Sequence, residues 1–306
     1  MNNDVMIGTW AWGSGYNGSK MIFGNNCDEE ALKNTFEKAV NLGFLKWDTA
    51  AVYGMGSCER LLGKLIRGRD DIFISTKYFP NKKFKSGALE KSFAESMERL
   101  GVQCADLFWI HKPNNLLENP KEAVPLMNDG RIKSVGISNV SLNDIKTAES
   151  FLDKQGLRLG AVQNHFSLLR NDQQPIIDYC NKKGITYYAY MVLEQGALAG
   201  RYNAENHFPT FSMRNLAFPK SKFRKIERLL GMMKDIADKH GIDRSQIPIL
   251  WAMAKGAVPI VGITKPSYAD KLSEALKVSL TYEEIDRLTE EARRTGIRQQ
   301  GSWEPQ

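Results

Sequence analysis

Cysteine is scarce in this chain of 306 residues: there are four, Cys27, Cys58, Cys104 and Cys180. No C-x-x-C pair and no regular ladder joins them, which excludes a zinc ribbon and a disulfide framework. They read as reduced, buried thiols of a cytoplasmic protein, and no metal site is expected. Long apolar runs are missing too. The N-terminal M-N-N-D-V-M-I-G lacks the basic-then-apolar order of a leader, so no membrane span or targeting segment is expected. Charge is not concentrated either. The formal net charge is +7, the densest basic group is Lys82, Lys83 and Lys85, and acids lie between most other cations. That pattern argues against nucleic acid as a partner, while a basic cavity mouth would still suit an anionic small molecule. No polar tract or composition shift marks a boundary, so residues 1–306 read as one domain whose 42% hydrophobic share supports a large core.

What is present is a set of short apolar runs that each stop at a polar residue. F-L-K-W-D ends at Asp48, with Tyr53 five residues on; D-I-F-I-S-T-K ends at Lys77, and D-L-F-W-I-H at His111. A parallel strand delivering a side chain to a barrel mouth has this form. Periodicity predicts a helix from the Asp28 cap to about Leu42, with Leu32, Phe36, Ala39 and Val40 inward. Next come helix 57–67, strand 72–76, helix 87–100, strand 105–110 and helix 120–129, the last with Pro120 at its start. Strand 132–137, helix 142–152, a short strand at 161–162, helix 174–183 and strand 186–189 continue the alternation. Polar strand ends recur at 48, 77, 111, 138, 163 and 190, about one βα unit apart.

The rhythm then breaks. Residues 193–223 show no clear period and read as a long loop over the mouth. Helices near 223–240 and 245–255 resume the pattern, Val258–Val261 is the eighth strand, and 281–295 is a final amphipathic helix. Alternating strands and helices with all the chemistry at one end favour a single (β/α)8 TIM-type barrel. Gly13-Ser-Gly15-Tyr-Asn-Gly18 matches G-x-G-x-x-G, but that motif needs its third glycine to open a helix. Residues 20–26 show no helical period, so a flexible loop at the mouth is expected instead.

Gly8-Thr9-Trp10, W-D-T-A-A-V-Y-G, S-T-K, I-H-K-P, V-G-I-S-N and A-V-Q-N occur in this order, and through them the chain resembles the aldo-keto reductase superfamily from about Ile7 to Leu280. The resemblance implies reduction of an aldehyde or ketone to an alcohol with a nicotinamide dinucleotide. It matches Asp48, Tyr53, Lys77 and His111 to the family's catalytic four. Tyr53 would be the general acid, its phenol lowered by the Lys77 ammonium that Asp48 orients, and His111 would hydrogen-bond the substrate oxygen. Ser138, Asn139 and Gln163 match residues that hold the nicotinamide carboxamide, and Tyr190 matches the ring that stacks on it. Thr9, Trp10 and Asp48 complete that end of the expected cofactor site.

Where the family has a serine for the pyrophosphate this chain has Met191, so phosphate contact falls to the backbone of Leu193–Gly196 and to Arg201. Glu194 there is an unhelpful acid unless it points away. Gly262, Thr264 and Lys265 match the loop at the adenosine phosphate, which favours NADPH over NADH. Tyr268, Lys271 and Leu272 replace the family's adenine-contacting glutamine, glutamate and asparagine. For the substrate, Trp10, Trp12, Tyr53, Tyr78, Phe79 and His111 are candidates to wall a pocket, with Phe208, Phe211 and Phe218 closing it. Arg170 and Arg214 are candidates for an anionic group. A Schiff-base enzyme built on Lys77, or an NADPH-binding regulatory or sensing protein with little turnover, are the alternatives. An oligomer is compatible with the sequence, but nothing in it indicates one.

Overall fold

The computed structural model describes residues 5–24, 28–210 and 212–300. Eight parallel strands close into a barrel in sequence order. They are β1 (Met6–Gly8), β2 (Lys46–Asp48), β3 (Phe73–Tyr78), β4 (Leu107–Ile110), β5 (Val135–Ser138), β6 (Leu159–His165), β7 (Thr186–Tyr190) and β8 (Val258–Gly262). The helices are α1 (Ser19–Phe23), α2 (Glu29–Asn41), α3 (Ser57–Leu65), α4 (Ala88–Leu100), α5 (Glu118–Asn128) and α6 (Leu142–Asp153), followed by α7 (Gln174–Lys183), α8 (Met213–Ala217), α9 (Lys220–His240), α10 (Ile247–Ala254), α11 (Pro266–Ala275) and α12 (Tyr282–Arg294). Among the described residues no helix is long and apolar enough to cross a membrane. No cluster of candidate metal ligands occurs among them either.

Strand alternation sorts the side chains into two cores. Met6, Leu107, Trp109, Ala161 and Tyr188 fill the barrel interior. Their neighbours Ile7, Phe108, Val162 and Tyr187 point outward into the layer beneath the helices. Gly136 makes room for this filling, since a Cβ there would stand 2.4 Å from the Trp109 ring. Caps hold the helix starts: Asp28 accepts from the Ala31 amide at 3.2 Å, and Thr281 with Glu284 forms a reciprocal capping box on α12.

Several boundaries differ from the expected ones. Helix α5 starts at Glu118, so Pro120 lies in its first turn rather than at its start, and Pro125 sits inside it. Strand β6 is seven residues long, because Gln163, Asn164 and His165 keep pairing with β7 after the apolar run ends. The segment expected to be a bare loop carries α8 and a short 3-10 turn at Glu194–Gly196, and α9 begins at Lys220. Gly18 does open a helix, the five-residue α1, whose single turn the periodicity did not reveal. It belongs to a barrel and not to a doubly wound dinucleotide fold.

Candidate active site

The same alternation that fills the barrel brings charge to its top. On β2 and β3, Asp48 and Lys77 occupy inward positions at the carboxyl ends. The Lys77 ammonium is completely buried, paired with the Asp48 carboxylate and donating to the Thr49 carbonyl at 2.8 Å. Ser75 donates to the other Asp48 oxygen and accepts from Trp109 Nε1 at 3.2 Å, which fixes the carboxylate from below. Thr9 is buried outside the cavity walls, and its hydroxyl donates to the Asp48 carbonyl at 3.0 Å. It braces the strand end and does not line the cavity.

Tyr53 sits over this pair, just beyond β2. Lys77 Nζ lies 5.0 Å from its ring centroid, the Trp10 ring stacks on it at 5.5 Å, and the His111 ring meets it edge-on at 6.0 Å. Burial, and then the Asp48 carboxylate, raise the Tyr53 phenol well above its usual pKa. The expectation that Lys77 lowers this value is therefore reversed, because desolvating a phenolate outweighs a cation already committed to Asp48. Burial also lowers the Lys77 pKa, and Asp48 opposes that shift. Burial, then the Lys77 and Lys112 charges, hold His111 well below the usual imidazole value. At neutral pH the site presents a protonated phenol and a neutral imidazole.

These groups open onto a cavity of about 630 Å³ bounded by the ends of β1, β2 and β5–β8, a size typical of small-molecule sites. Ser138, Asn139, Gln163 and Tyr190 form one wall. Asn139 donates to the His111 carbonyl at 2.9 Å and accepts from the Tyr190 hydroxyl at 2.5 Å. Ser138 donates to the Gln163 carbonyl at 2.8 Å. The Gln163 side-chain nitrogen is buried without a hydrogen-bond partner among the described residues. An unsatisfied amide donor at a cavity wall fits a ligand carbonyl such as that of a carboxamide.

Beyond Tyr190 the wall is made by backbone. Met191, Leu193 and Gly196 line the cavity, and Met191, Glu194 and Gln195 all adopt left-handed conformations, with φ of 61°, 48° and 53°. Glu194 turns away from the cavity and is buried against His165 and Ser167. Gly262, Thr264, Tyr268, Lys271 and Leu272 form the far end. Arg201, Arg214, Arg244 and Lys271 give the cavity a basic rim, while the rim acid Asp243 is paired with Lys271 at 2.5 Å. Such a surface suits an anionic dinucleotide. Arg244 and Ser245 were missed in the sequence. They sit on a turn capped by Asp243, and D-x-S-Q after the Gly241 helix stop was the available signal.

Some candidates lie elsewhere. Lys265 is exposed at the cap of α11, outside the cavity walls. Tyr78 points outward into the helix layer, as its position after inward Lys77 requires. Trp12 is buried against Trp47 and donates to the Ile263 carbonyl, and Phe79 meets the His111 ring from outside the cavity walls. Phe208 and Phe218 pack on Phe223 of α9 and belong to the core, so they do not close the pocket. Arg170 pairs with Asp172 away from the cavity, whereas Arg214 faces it. Phe211, Cys27 and the tail 301–306 lie outside the described residues.

The profile described as the Aldo/keto reductase family matches residues 4–293. An aldo-keto reductase of Schizosaccharomyces pombe, named with NADP(+), is 28% identical over 94% of this chain and 91% of its own length. The chloroplastic pyridoxal reductase of Arabidopsis thaliana is 29% identical over 91% of this chain and 80% of its own. Among solved structures, the glycerol dehydrogenase of Gluconobacter oxydans superposes with a TM-score of 0.80 at 23% identity, covering 95% and 92% of the two chains. An aldo/keto reductase from Klebsiella pneumoniae, in complex with NADP and acetate, superposes with a TM-score of 0.73 at 21% identity, covering 99% and 94%.

Proposed function

Because the chain belongs to the aldo/keto reductase family, we propose that it reduces an aldehyde or ketone to the alcohol with NADPH, using Tyr53 as general acid. One observation carries this reading: Tyr53 and His111 meet edge to face and both line the floor of a basic cavity, beside the buried Lys77–Asp48 pair. NADPH, when bound, supplies a hydride to the carbonyl carbon. Tyr53 donates the proton to the carbonyl oxygen, and its raised pKa keeps it in the donating form across neutral pH. Lys77 stabilises the phenolate left behind, Asp48 holds the ammonium charged and in place, and neutral His111 offers a hydrogen bond to the same oxygen.

Ser138, Asn139 and Gln163 would hold the carboxamide, with Tyr190 stacking on the ring. Backbone groups of Leu193–Gly196 with Arg201 would meet the pyrophosphate, and Gly262, Thr264 and Tyr268 the adenosine end. The NADP(+) in the yeast relative's name supports NADPH as the preferred cofactor. Trp10 and Phe23, edge to face at 5.3 Å, continue the Tyr53 wall and favour a substrate with an apolar or aromatic body. A cytoplasmic location remains part of the same reading. The regulatory reading, motivated by Met191 and Leu272, stays the alternative, since both residues line the cavity.

The test follows NADPH consumption by the purified protein with a panel of aromatic and aliphatic aldehydes and ketones, pyridoxal included. Consumption that tracks alcohol formation is expected. NADPH binding without consumption of any carbonyl would overturn the reductase and favour the regulatory alternative.

A further inference from the structure

Behind the cofactor wall lies a buried polar group that the proposed chemistry does not use. His165 at the end of β6, Ser167 just after it and Glu194 in the turn after β7 are each at most 3% exposed. One Glu194 oxygen receives the Ser167 hydroxyl and lies 2.8 Å from His165 Nε2. The imidazole stacks on the Tyr190 ring, at 5.5 Å and an interplanar angle of 26°. Tyr190 in turn donates to Asn139, and Asn139 donates to the His111 carbonyl. A continuous line of contacts therefore runs from Glu194, through a histidine and a tyrosine ring, to the residue beside the acid.

The backbone along this line is costly. Met191, Glu194 and Gln195 have positive φ without being glycine or asparagine, a conformation disfavoured for such side chains, and Asn139 shares the sign of φ with a residue type that tolerates it. Strain of this kind persists only where surrounding contacts over-determine it. Around Glu194 those contacts are the two side-chain bonds to β6 and its extension. Residues 191–193, 195 and 196 line the cavity while Glu194 does not, so the anchor holds the wall through its one buried charged side chain. A buried polar network that is fully satisfied makes its surroundings rigid.

We infer that His165 and Glu194 are positioning residues for the dinucleotide: together they seat the Tyr190 platform from behind and hold the strained turn 191–196 in its binding shape. The inference rests on the proposed cofactor reading and goes beyond it by naming two residues that touch no ligand. Removing the anchor lets the turn relax toward ordinary backbone, and the cost of restoring it is then met by the cofactor on binding.

The experiment titrates NADPH into parent, Glu194→Ala, Glu194→Gln and His165→Phe by calorimetry, and follows thermal unfolding of each with and without NADPH. Glu194→Ala should weaken NADPH binding at least tenfold and shrink the rise in Tm that NADPH produces. Glu194→Gln keeps an oxygen for Ser167 and His165 and should recover most of the affinity. His165→Phe keeps the stack but loses the bond, and should fall between them. A purely structural role would lower the cofactor-free Tm while leaving affinity within twofold of parent, and that result overturns the inference. If Glu194→Ala does not fold, the comparison of His165→Phe with Glu194→Gln decides, and equal parent-like affinities again overturn it. Parent protein that fails to bind NADPH would instead sink the cofactor reading itself.

Discussion

The floor of the cavity, at the ends of β2 to β4, and its far wall, after β7 and β8, are built by different means. The floor is side chains on regular strands: Lys77 and Asp48 stand on inward positions of paired strands, and their neighbours belong to the barrel filling. The wall is largely backbone, shaped by left-handed residues and held by a buried anchor. A floor of this kind places atoms through repeat geometry and tolerates little movement. A wall of this kind is shaped by the backbone conformation at Met191, Glu194 and Gln195. The difference suits a site whose reactive groups are fixed by strand geometry at one end and whose long far wall is held in shape by a buried anchor at the other.

The largest expected effect breaks the floor. Lys77→Met leaves Asp48 buried without its cation, which should cost about 3–5 kcal/mol of stability and lower turnover by about 100-fold or more. Chemical denaturation and steady-state rates check the two parts. If neither moves, Lys77 is not what organises this end.

The next effect uses pH to separate the regions. His111 has a folded pKa below its unfolded value, since burial and then the lysine charges disfavour the imidazolium. Below about pH 6.5 the unfolded chain takes the proton first, so stability is full above that value and falls as pH drops toward the lower folded pKa. Denaturation midpoints across this window should decline in the parent and decline less in His111→Gln.

A gentler perturbation tests the wall. Met191→Gly relieves a left-handed φ of 61° and should raise stability by about 1 kcal/mol, read as a small increase in Tm. A decrease would mean the Met191 side chain contributes more packing than its backbone costs. The smallest effect is a control remote from both regions. Burial would raise Glu284, but bonds from Lys239, the Thr281 amide and His240 bring it down to about 2. Its contribution is present above the usual carboxylate value and is lost as pH falls from about 4.5 toward 2. Glu284→Gln should flatten that segment of the stability curve and cost about 1 kcal/mol through the weakened cap, with no change in NADPH affinity.

The same contrast explains what was legible in the sequence. Period-2 patterning ending in a polar residue is a local signal, and it led to the barrel, Asp48, Lys77, His111, Gln163 and Tyr190. Tyr78 was misplaced although the same rule excluded it: if Lys77 points inward, its neighbour points out. Aromaticity says nothing about which side of a loop faces the core, so Phe208 and Phe218 read as pocket walls in the sequence and pack on Phe223 in the fold. Glu194 is not orientable from sequence because its direction depends on positive φ at the non-glycine positions 191, 194 and 195, which no residue type there announces. Its partner His165 was hidden because β6 was ended too early. The raised Tyr53 pKa was inverted because burial depth is a property of the closed barrel, not of neighbouring letters.

Tyr53 is proposed to supply the proton at a site already competent to bind cofactor. The most direct test is a single-turnover experiment on parent and Tyr53→Phe, each preloaded with NADPH and mixed with an aldehyde that the parent reduces. Matched NADPH binding and a loss of hydride transfer of about 1,000-fold or more in the variant are expected. Transfer within a few-fold of the parent, with binding intact, would contradict it and move the acid to another group on the floor.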